Sequence, residues 1–87
     1  MTPDQALREA ALAGRTNQFQ VSRHVLEERM PERGASRRDL ALALQSATSA
    51  HHQERSKWRI DGGRDDAGDL LTLIVAFEDG VLIVTLF

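Results

Sequence analysis

The sequence predicts an α+β domain, in which two or three N-terminal helices pack on a three- or four-stranded antiparallel sheet. Three observations support this fold class. Helix-capping signals recur in the first half of the chain, apolar and β-branched segments occupy residues 70–77 and 81–87, and the dipeptide Asp79-Gly80 between them is typical of a tight hairpin. Because 87 residues are too few for two cores of ordinary size, we expect residues 1–87 to form a single domain.

The first helix is predicted at the start of the chain. Thr2 and Gln5 have the spacing of a capping box, and Pro3 lies at the first helical position, where its missing N–H costs nothing. Gly14 can adopt the left-handed conformation that ends a helix. We therefore expect a helix that ends at Gly14, followed by an extended link or edge strand over residues 15–20.

A second helix is predicted after Ser22, which can cap it. Leu26 and Met30 are four residues apart and would share its buried face. Pro31 would remove one hydrogen bond and crowd the preceding turn. We therefore expect a kink, or an end near Met30, before Gly34 stops the helix.

A second capping box predicts the third helix. Ser36 can cap it, with Asp39 at the third position. The helix would continue to about Ser46, and its apolar face would consist of Leu40, Ala43, Leu44 and Ala47.

The second half of the chain predicts strands. Trp58 and Ile60 alternate with charged residues and indicate a strand over 56–61, with Trp58 in a core or an interface. A two-residue type I′ turn at Asp79-Gly80 would pair Phe77 with Leu82, Val75 with Val84 and Leu73 with Leu86. Neither face of this hairpin is polar. One face should therefore pack on the helices, and the other should contact a partner, a ligand or a second copy.

Composition excludes several kinds of site. The chain has no Cys, which excludes disulfides, thiolate chemistry and Cys-based zinc sites, and we expect neither a cofactor nor a bound metal. No segment reaches the roughly 20 apolar residues of a membrane span, and the N-terminus lacks the apolar core of a secretory signal. The expected location is the cytoplasm.

Charge is unevenly distributed along the chain. The net charge of −2 argues against a protein that coats nucleic acid through bulk charge. Residues 1–64 carry eleven basic and eight acidic residues, a net of +3, whereas residues 65–87 carry five acidic residues and none that is basic, a net of −5. Ten of the eleven basic residues are Arg, whose planar fork suits phosphate. An Ala-rich, Lys-poor composition is the better explanation of the total, so only the placement of each arginine can indicate a phosphate site.

His24 begins the run that is most suggestive of chemistry, HVLEERMPERG. At the positive end of a helix its imidazole would be neutral and able to act as a general base. Phosphodiester cleavage also needs cations placed against the phosphate, and the available ones are Arg29, Arg33, Arg37, Arg38 and Arg59.

Spacing alone does not bring these groups together. On an ideal helix, His24 and Arg29 are roughly 140° apart. A structural role is the alternative for each residue. His24 would contact Glu27 or Glu28, and Arg33 would pair with Glu32 or Asp39.

His51 and His52 add two imidazoles, which with His24 could supply three metal ligands. Adjacent residues of an extended chain point in opposite directions, and neither His51 nor His52 has a further ligand three or four residues away on a helix. We therefore interpret them as a solvated loop pair. Three acidic residues lack the rhythm of a cation-binding loop and are interpreted as turn formers: Asp65, Asp66 and Asp69.

Three segments carry a pattern that extends over most of the chain. They are FQVSRHVLEERMPERGASRRDLALAL, KWRIDGGRDDAGDLLTLIVAF and VLIVTLF. The pattern is a His that opens a helix, an Arg-Met-x-x-Arg-Gly run, a capped helix, and two closing strands with a Thr near the end. It resembles a family of small bacterial proteins of unknown function, thought to share the RelE/barnase-like fold of metal-independent ribonucleases.

The resemblance implies a cytoplasmic type II toxin, or a relative of one, that cleaves RNA. Several members of the family are encoded beside a zinc-finger-type antitoxin, so RNA and an antitoxin protein are the implied partners. The family's recurrent polar residues align with His24, Arg29, Arg33, Arg59 and Thr85. In the implied mechanism His24 is a general base or acid for attack by the ribose 2′-OH, and Arg29, Arg33 and Arg59 hold the phosphate.

A non-catalytic binding module is the second hypothesis. Here the apolar outer face of the hairpin and an exposed sheet edge would recruit a partner or form a homodimer. The two hypotheses differ in one geometric respect. The nuclease requires His24, Arg33 and Arg59 to share one concave surface.

Overall fold

Helices and strands alternate in the first half of the chain, and four strands follow. The computed structural model describes residues 1–87. The helices are α1 (Pro3–Thr16), α2 (Met30–Arg33) and α3 (Arg37–Ser46), and a π-helical segment, Val25–Arg29, leads directly into α2. The strands are β1 (Gln20–Val21), β2 (Ser49–Glu54), β3 (Lys57–Asp61), β4 (Leu73–Phe77) and β5 (Val81–Leu86).

The five strands form one mixed sheet in the order β1-β5-β4-β3-β2. β1 runs parallel to β5, and the other neighbours are antiparallel. The α+β class is confirmed, but the predicted three or four antiparallel strands and the position of all helices before the sheet are wrong. The two residues of β1 are too few to form a pattern, and β2 is an edge strand whose only fully buried residue is Ala50.

The capping boxes of α1 and α3 are confirmed, but Gly14 does not end α1. The helix continues to Thr16 and ends at Asn17, which has a left-handed φ of 56°. A Cβ on Gly14 would lie 2.5 Å from the carbonyl oxygen of Ala41 in α3. Glycine is therefore needed at this position because the two helices approach closely.

Of the predicted buried face of the second helix, Met30 is partly buried against the core, but Leu26 is not buried. Ser22 caps the segment as expected, since its hydroxyl accepts a hydrogen bond from the Val25 N–H at 3.2 Å. Val25 is fully buried, whereas Leu26 is 59% exposed. The π-helical winding, in which the N–H of Met30 donates to the carbonyl of Val25, replaces the 3.6-residue repeat on which the prediction depended.

Pro31 does not end the helix. α2 continues through it to Arg33 and stops at Gly34, whose φ is 68°, as the sequence predicts. The π-helical segment lies immediately before Pro31, where the ring removes a donor from the regular hydrogen-bond ladder.

The hairpin of β4 and β5 is confirmed, but its turn differs from the prediction. The closing pair is Phe77–Val81 rather than Phe77–Leu82, so the loop has three residues. Asp79 and Gly80 have positive φ values of 51° and 109°. Asp and Gly tolerate this conformation in longer hairpin loops as well as in the two-residue turn.

A bulge in β5 then restores the predicted register. Val75 pairs with Ile83 instead of Val84, but Leu73 pairs with Leu86 as expected. One extra residue in β5 compensates for the extra residue in the loop. Ile83 and Leu86 consequently both lie in the core.

The helical layer covers one face of the sheet. Seventeen buried apolar residues, Trp58 among them, form one cluster between the two layers. Alternate residues of β3 and β4, such as Arg59 and Ile74, belong to the opposite face. We call this opposite surface the open face of the sheet.

Candidate functional site

Phe87 is held at the end of the sheet, directly after β5. Its backbone N–H donates to the carbonyl of Thr72 at 2.9 Å, and its carbonyl accepts from the Thr72 N–H at 2.8 Å. The residue is nevertheless 50% exposed. The backbone of Phe87 is therefore fixed, while its aromatic ring is partly exposed.

Arg29 and Arg33 approach Phe87 from the helical layer. They line a shallow cavity of about 230 Å³ together with Glu32, Leu86 and Phe87. The Arg33 guanidinium donates to the carbonyl of Leu70, in the loop before β4. Arg29 Nη1 lies 3.4 Å from Glu32. Both arginines thus have one partner each and retain other N–H donors.

Arg59 approaches the same ring from the open face. Its guanidinium carbon lies 5.3 Å from the centroid of the Phe87 ring, within the range of a cation–π contact. We call Arg29, Arg33, Arg59 and Phe87 the Phe87 cluster. The cluster joins residues of β3, β5's C-terminal end and the α2 region, which are far apart in the sequence.

The Phe87 cluster is cationic even though the chain is acidic. Among the side chains, three guanidinium groups face two contacting carboxylates, Glu32 and Asp61, which leaves a formal side-chain charge of +1. Each guanidinium has five N–H donors in a planar fork. The donors that remain free are suited to binding an oxyanion such as a phosphodiester.

Asp61 organises a second set of contacts beside the cluster, on the open face. Both of its carboxylate oxygens accept from Arg59 Nε at 3.0 Å, and one accepts from the Thr72 hydroxyl at 3.4 Å. His51 Nε2 lies 3.5 Å from the other carboxylate oxygen. We call these four residues the Asp61 network. Asp61 is only 24% exposed, so its partners are held by a partly buried carboxylate.

The interpretation of His51 and His52 as a loop pair is wrong. Both are exposed, but they belong to β2 and lie on opposite faces of the sheet. His51 pairs with Arg59 across the strands, whereas the His52 ring lies edge-on to Trp58 with 5.1 Å between centroids. This edge strand is polar and therefore lacks the apolar alternation that predicts a strand from the sequence.

His24 has the structural role that the sequence offers as the alternative to catalysis, because it contacts Glu28. Its Nδ1 lies 2.8 Å from the Glu28 carboxylate, one helical turn away, and both side chains are exposed. None of its hydrogen bonds or ion pairs involves a residue of the Phe87 cluster. The structure places Arg29, Arg33 and Arg59 beside Phe87, although Arg59 does not line the cavity that Arg29 and Arg33 line. His24 lies outside that cavity and has a separate local partner.

Thr85 belongs to the open face. Cross-strand pairing forms one row of side chains there: His51, Arg59, Ile74 and Thr85. Thr85 is therefore two strands from Arg59, which corresponds to roughly 10 Å at the usual strand spacing. Two predicted site residues share this face, but they are not in direct contact.

Two of the five arginines that the sequence offers as phosphate-binding cations have structural partners instead. Arg37 donates to the Asn17 side chain at 2.8 Å and to the Phe19 carbonyl at 2.6 Å, and its guanidinium lies 3.9 Å from the Phe19 ring. Arg38 pairs with Asp66 at 3.4 Å. These contacts fix α3 to the segment after α1 and to the loop before β4.

Comparisons with known proteins give no further assignment. No known protein family, curated protein or solved structure matches this chain. The His, Asp and Glu side chains form no group of three that could hold a metal ion. The longest helix has 14 residues, and none of the helices has the length and apolar character needed to cross a membrane.

Proposed function

We propose that this protein is a toxin-like, metal-independent endoribonuclease and that the Phe87 cluster is its RNA-binding site. One observation carries the proposal. Three arginines from two separate parts of the chain lie beside a single exposed aromatic ring. Such a combination of cations and an aromatic surface suits a nucleotide, since the ring can stack on a base while the guanidinium groups bind the flanking phosphates.

The substrate in this proposal is single-stranded RNA. A base within a duplex is already stacked and cannot lie on the Phe87 ring. In a single strand, the base can leave its neighbours without breaking a base pair. Arg29 and Arg33 would then bind the backbone on the helical side of the ring, and Arg59 would bind it on the open face.

The reaction in this proposal is transesterification by the adjacent ribose 2′-OH. As the 2′ oxygen attacks phosphorus, negative charge accumulates on the phosphoryl oxygens, and the guanidinium groups stabilise it. An imidazole that accepts the 2′-OH proton completes the minimum set of groups. The family resemblance assigns this task to His24. An antitoxin protein, of the zinc-finger type by the same resemblance, belongs to this proposal as the partner.

RNA binding and cleavage in the presence of EDTA test the proposal. We expect the wild-type protein to cleave a short unstructured RNA, and Phe87→Ala to weaken binding about 10-fold or more because one stacked base is lost. Arg59→Ala should weaken binding to a similar extent. Arg8→Ala is the matched control, because Arg8 is an exposed arginine of α1 outside the cluster. Intact RNA in the presence of the folded wild-type protein would contradict the proposal.

A binding module is the second candidate, and one observation favours it. β2 pairs only with β3, so the other side of this six-residue strand presents backbone groups to which a further strand can bind. A second copy or an extended segment of a partner could extend the sheet there. Expression without a partner distinguishes the candidates, since an active toxin should arrest growth of the host and a binding module should not. Light scattering would report the mass of a homodimer.

A further inference from the structure

We propose that His51, which lies beside Asp61, is the imidazole that accepts the 2′-OH proton. This inference rests on the proposed ribonuclease function and identifies the catalytic base within it. It assigns a role to a residue that has no motif in the sequence. It also places the base on the open face of the sheet, away from the helix that carries His24.

The position of His51 beside Arg59 supports this role. His51 and Arg59 are direct cross-strand partners of β2 and β3 on the same face. Their Cβ atoms are therefore roughly 5 Å apart. The Nε of Arg59 is engaged by Asp61, and its terminal nitrogens remain near the Phe87 ring. In this proposal, a phosphodiester bound by Arg59 lies on the same face of the sheet as the His51 ring.

The His51 imidazole also has a nitrogen that is free to accept a proton. Asp61 lies 3.5 Å from His51 Nε2 and favours the tautomer that carries its proton on that nitrogen. Nδ1 is then an acceptor, and it has no hydrogen-bond partner within the protein. The ring is 60% exposed, so a substrate can reach it. His24 is paired in a similar way, with Nδ1 2.8 Å from Glu28, but none of its hydrogen bonds or ion pairs involves the Phe87 cluster.

The Asp61 carboxylate beside His51 is held in place by other side chains. Asp61 is bound by Arg59 and Thr72 as well as being close to His51. These contacts come from three adjacent strand segments and fix the carboxylate from several directions. Asp61 is therefore a positioning residue for both the imidazole and the phosphate-binding guanidinium.

The chemical step follows from this arrangement. His51 Nδ1 accepts the proton of the 2′-OH as the 2′ oxygen forms a bond to phosphorus. The bond between phosphorus and the 5′ oxygen of the next nucleotide breaks, and that oxygen takes a proton from water. The products are a 2′,3′-cyclic phosphate and a free 5′-OH, and His51 later returns its proton to the solvent.

Three single variants and two substrates test the inference. The variants are His51→Gln, His52→Gln and His24→Gln. Cleavage of a short unstructured RNA in EDTA gives kcat and KM, and the all-2′-deoxy version of the same oligonucleotide measures binding without reaction. We expect His51→Gln to lower kcat about 100-fold, as for the loss of a general base, while binding of the deoxy oligonucleotide stays unchanged. His52→Gln is the matched control, since His52 is the next residue of β2 and lies on the opposite face.

The outcomes separate this inference from the function on which it rests. If the wild-type protein cleaves RNA and His51→Gln cleaves it equally well, the assignment of His51 is wrong and the ribonuclease proposal remains. If His24→Gln alone abolishes cleavage, the base is His24. If the wild-type protein binds the deoxy oligonucleotide but leaves the RNA intact, both proposals fail as statements about catalysis.

Discussion

Two histidine–carboxylate pairs in this protein have opposite origins. His24 and Glu28 are one helical turn apart in the same segment, and both side chains are exposed. His51 and Asp61 come from neighbouring strands, and Asp61 is partly buried and bound by two further side chains. The first pair follows from helical spacing. The second exists only because β2 and β3 adopt one particular register.

The difference shows where a small chain can build a site. An exposed pair on one helix contributes about 0.3–0.5 kcal/mol and competes with water for each partner. A cross-strand network keeps its members in place through the backbone of the sheet. The Phe87 cluster adjoins that network through Arg59, which touches both. Tertiary assembly thus collects cations at one point of a chain whose net charge is −2.

The largest expected effect comes from disturbing the support of the Asp61 network. Gly63 lies two residues after Asp61, and a Cβ there would be 2.3 Å from the carbonyl oxygen of Ala43 in α3. Because backbone atoms cannot move aside easily, we expect Gly63→Ala to lower the free energy of unfolding by about 3 kcal/mol, as measured by urea denaturation.

Gly68→Ala is the control for this substitution. Gly68 has a φ of +87° but open space around its Cβ position, so only conformational strain should appear, at about 1 kcal/mol. Equal losses in the two variants would show that the contact between Gly63 and α3 does not limit stability.

A smaller effect compares the two carboxylates directly. Asp61→Asn should lower the free energy of unfolding by about 1 kcal/mol, because the charged hydrogen bonds to Arg59 are lost at a partly buried position. Glu28→Gln should cost about 0.3 kcal/mol, since its partner His24 is exposed on the same helix. Denaturation of both variants at neutral pH gives the two values. The reverse order would mean that the helix pair is the stronger of the two.

The smallest expected effect is a change in stability at acidic pH, and it concerns the Asp39 carboxylate. Asp39 has one partner nearby in the chain, Ser36, and one distant partner, Asp66. The backbone N–H of Ser36, followed by that of Asp66, lowers the pKa of Asp39 below its usual 3.8. A lowered pKa in the folded state contributes stability that is fully present above about pH 4 and is lost as the pH falls through the folded value. We expect Asp39→Asn to reduce the dependence of stability on pH below about pH 4.

Titration of urea midpoints between pH 5 and pH 2 measures this effect, and Asp4→Asn provides a carboxylate control on α1. An unchanged pH dependence in Asp39→Asn would contradict the assignment. A loss that appears above pH 5 would indicate a different group.

The sequence predicts the parts of the fold that depend on neighbouring residues. Thr2 with Gln5 and Ser36 with Asp39 form the expected capping boxes, and Gly34 ends its helix as predicted. The hairpin and its apolar strands are also recognisable. Each of these features is stabilised mainly by contacts within a few residues of chain.

Features that depend on distant contacts escape the same reasoning. Gly14 has the residue type of a helix stop, but its actual constraint is the carbonyl of Ala41 in another helix. β1 is too short to have a pattern and forms only because β5 provides a partner. His51 has no motif, and its neighbours Arg59 and Asp61 follow it only across a strand pairing.

By itself, the sequence determined the α+β class, the helix caps, the hairpin and the set of arginines from which a phosphate site could be built. The tertiary structure decided which of those arginines lie beside Phe87, which histidine pairs with Arg59, and how many strands complete the sheet. The physical reason is the distance along the chain over which each kind of interaction acts. Capping and turn preferences act over a few residues, whereas side chains from separate strands and helices meet only when burial of the shared core fixes register and packing for the whole chain.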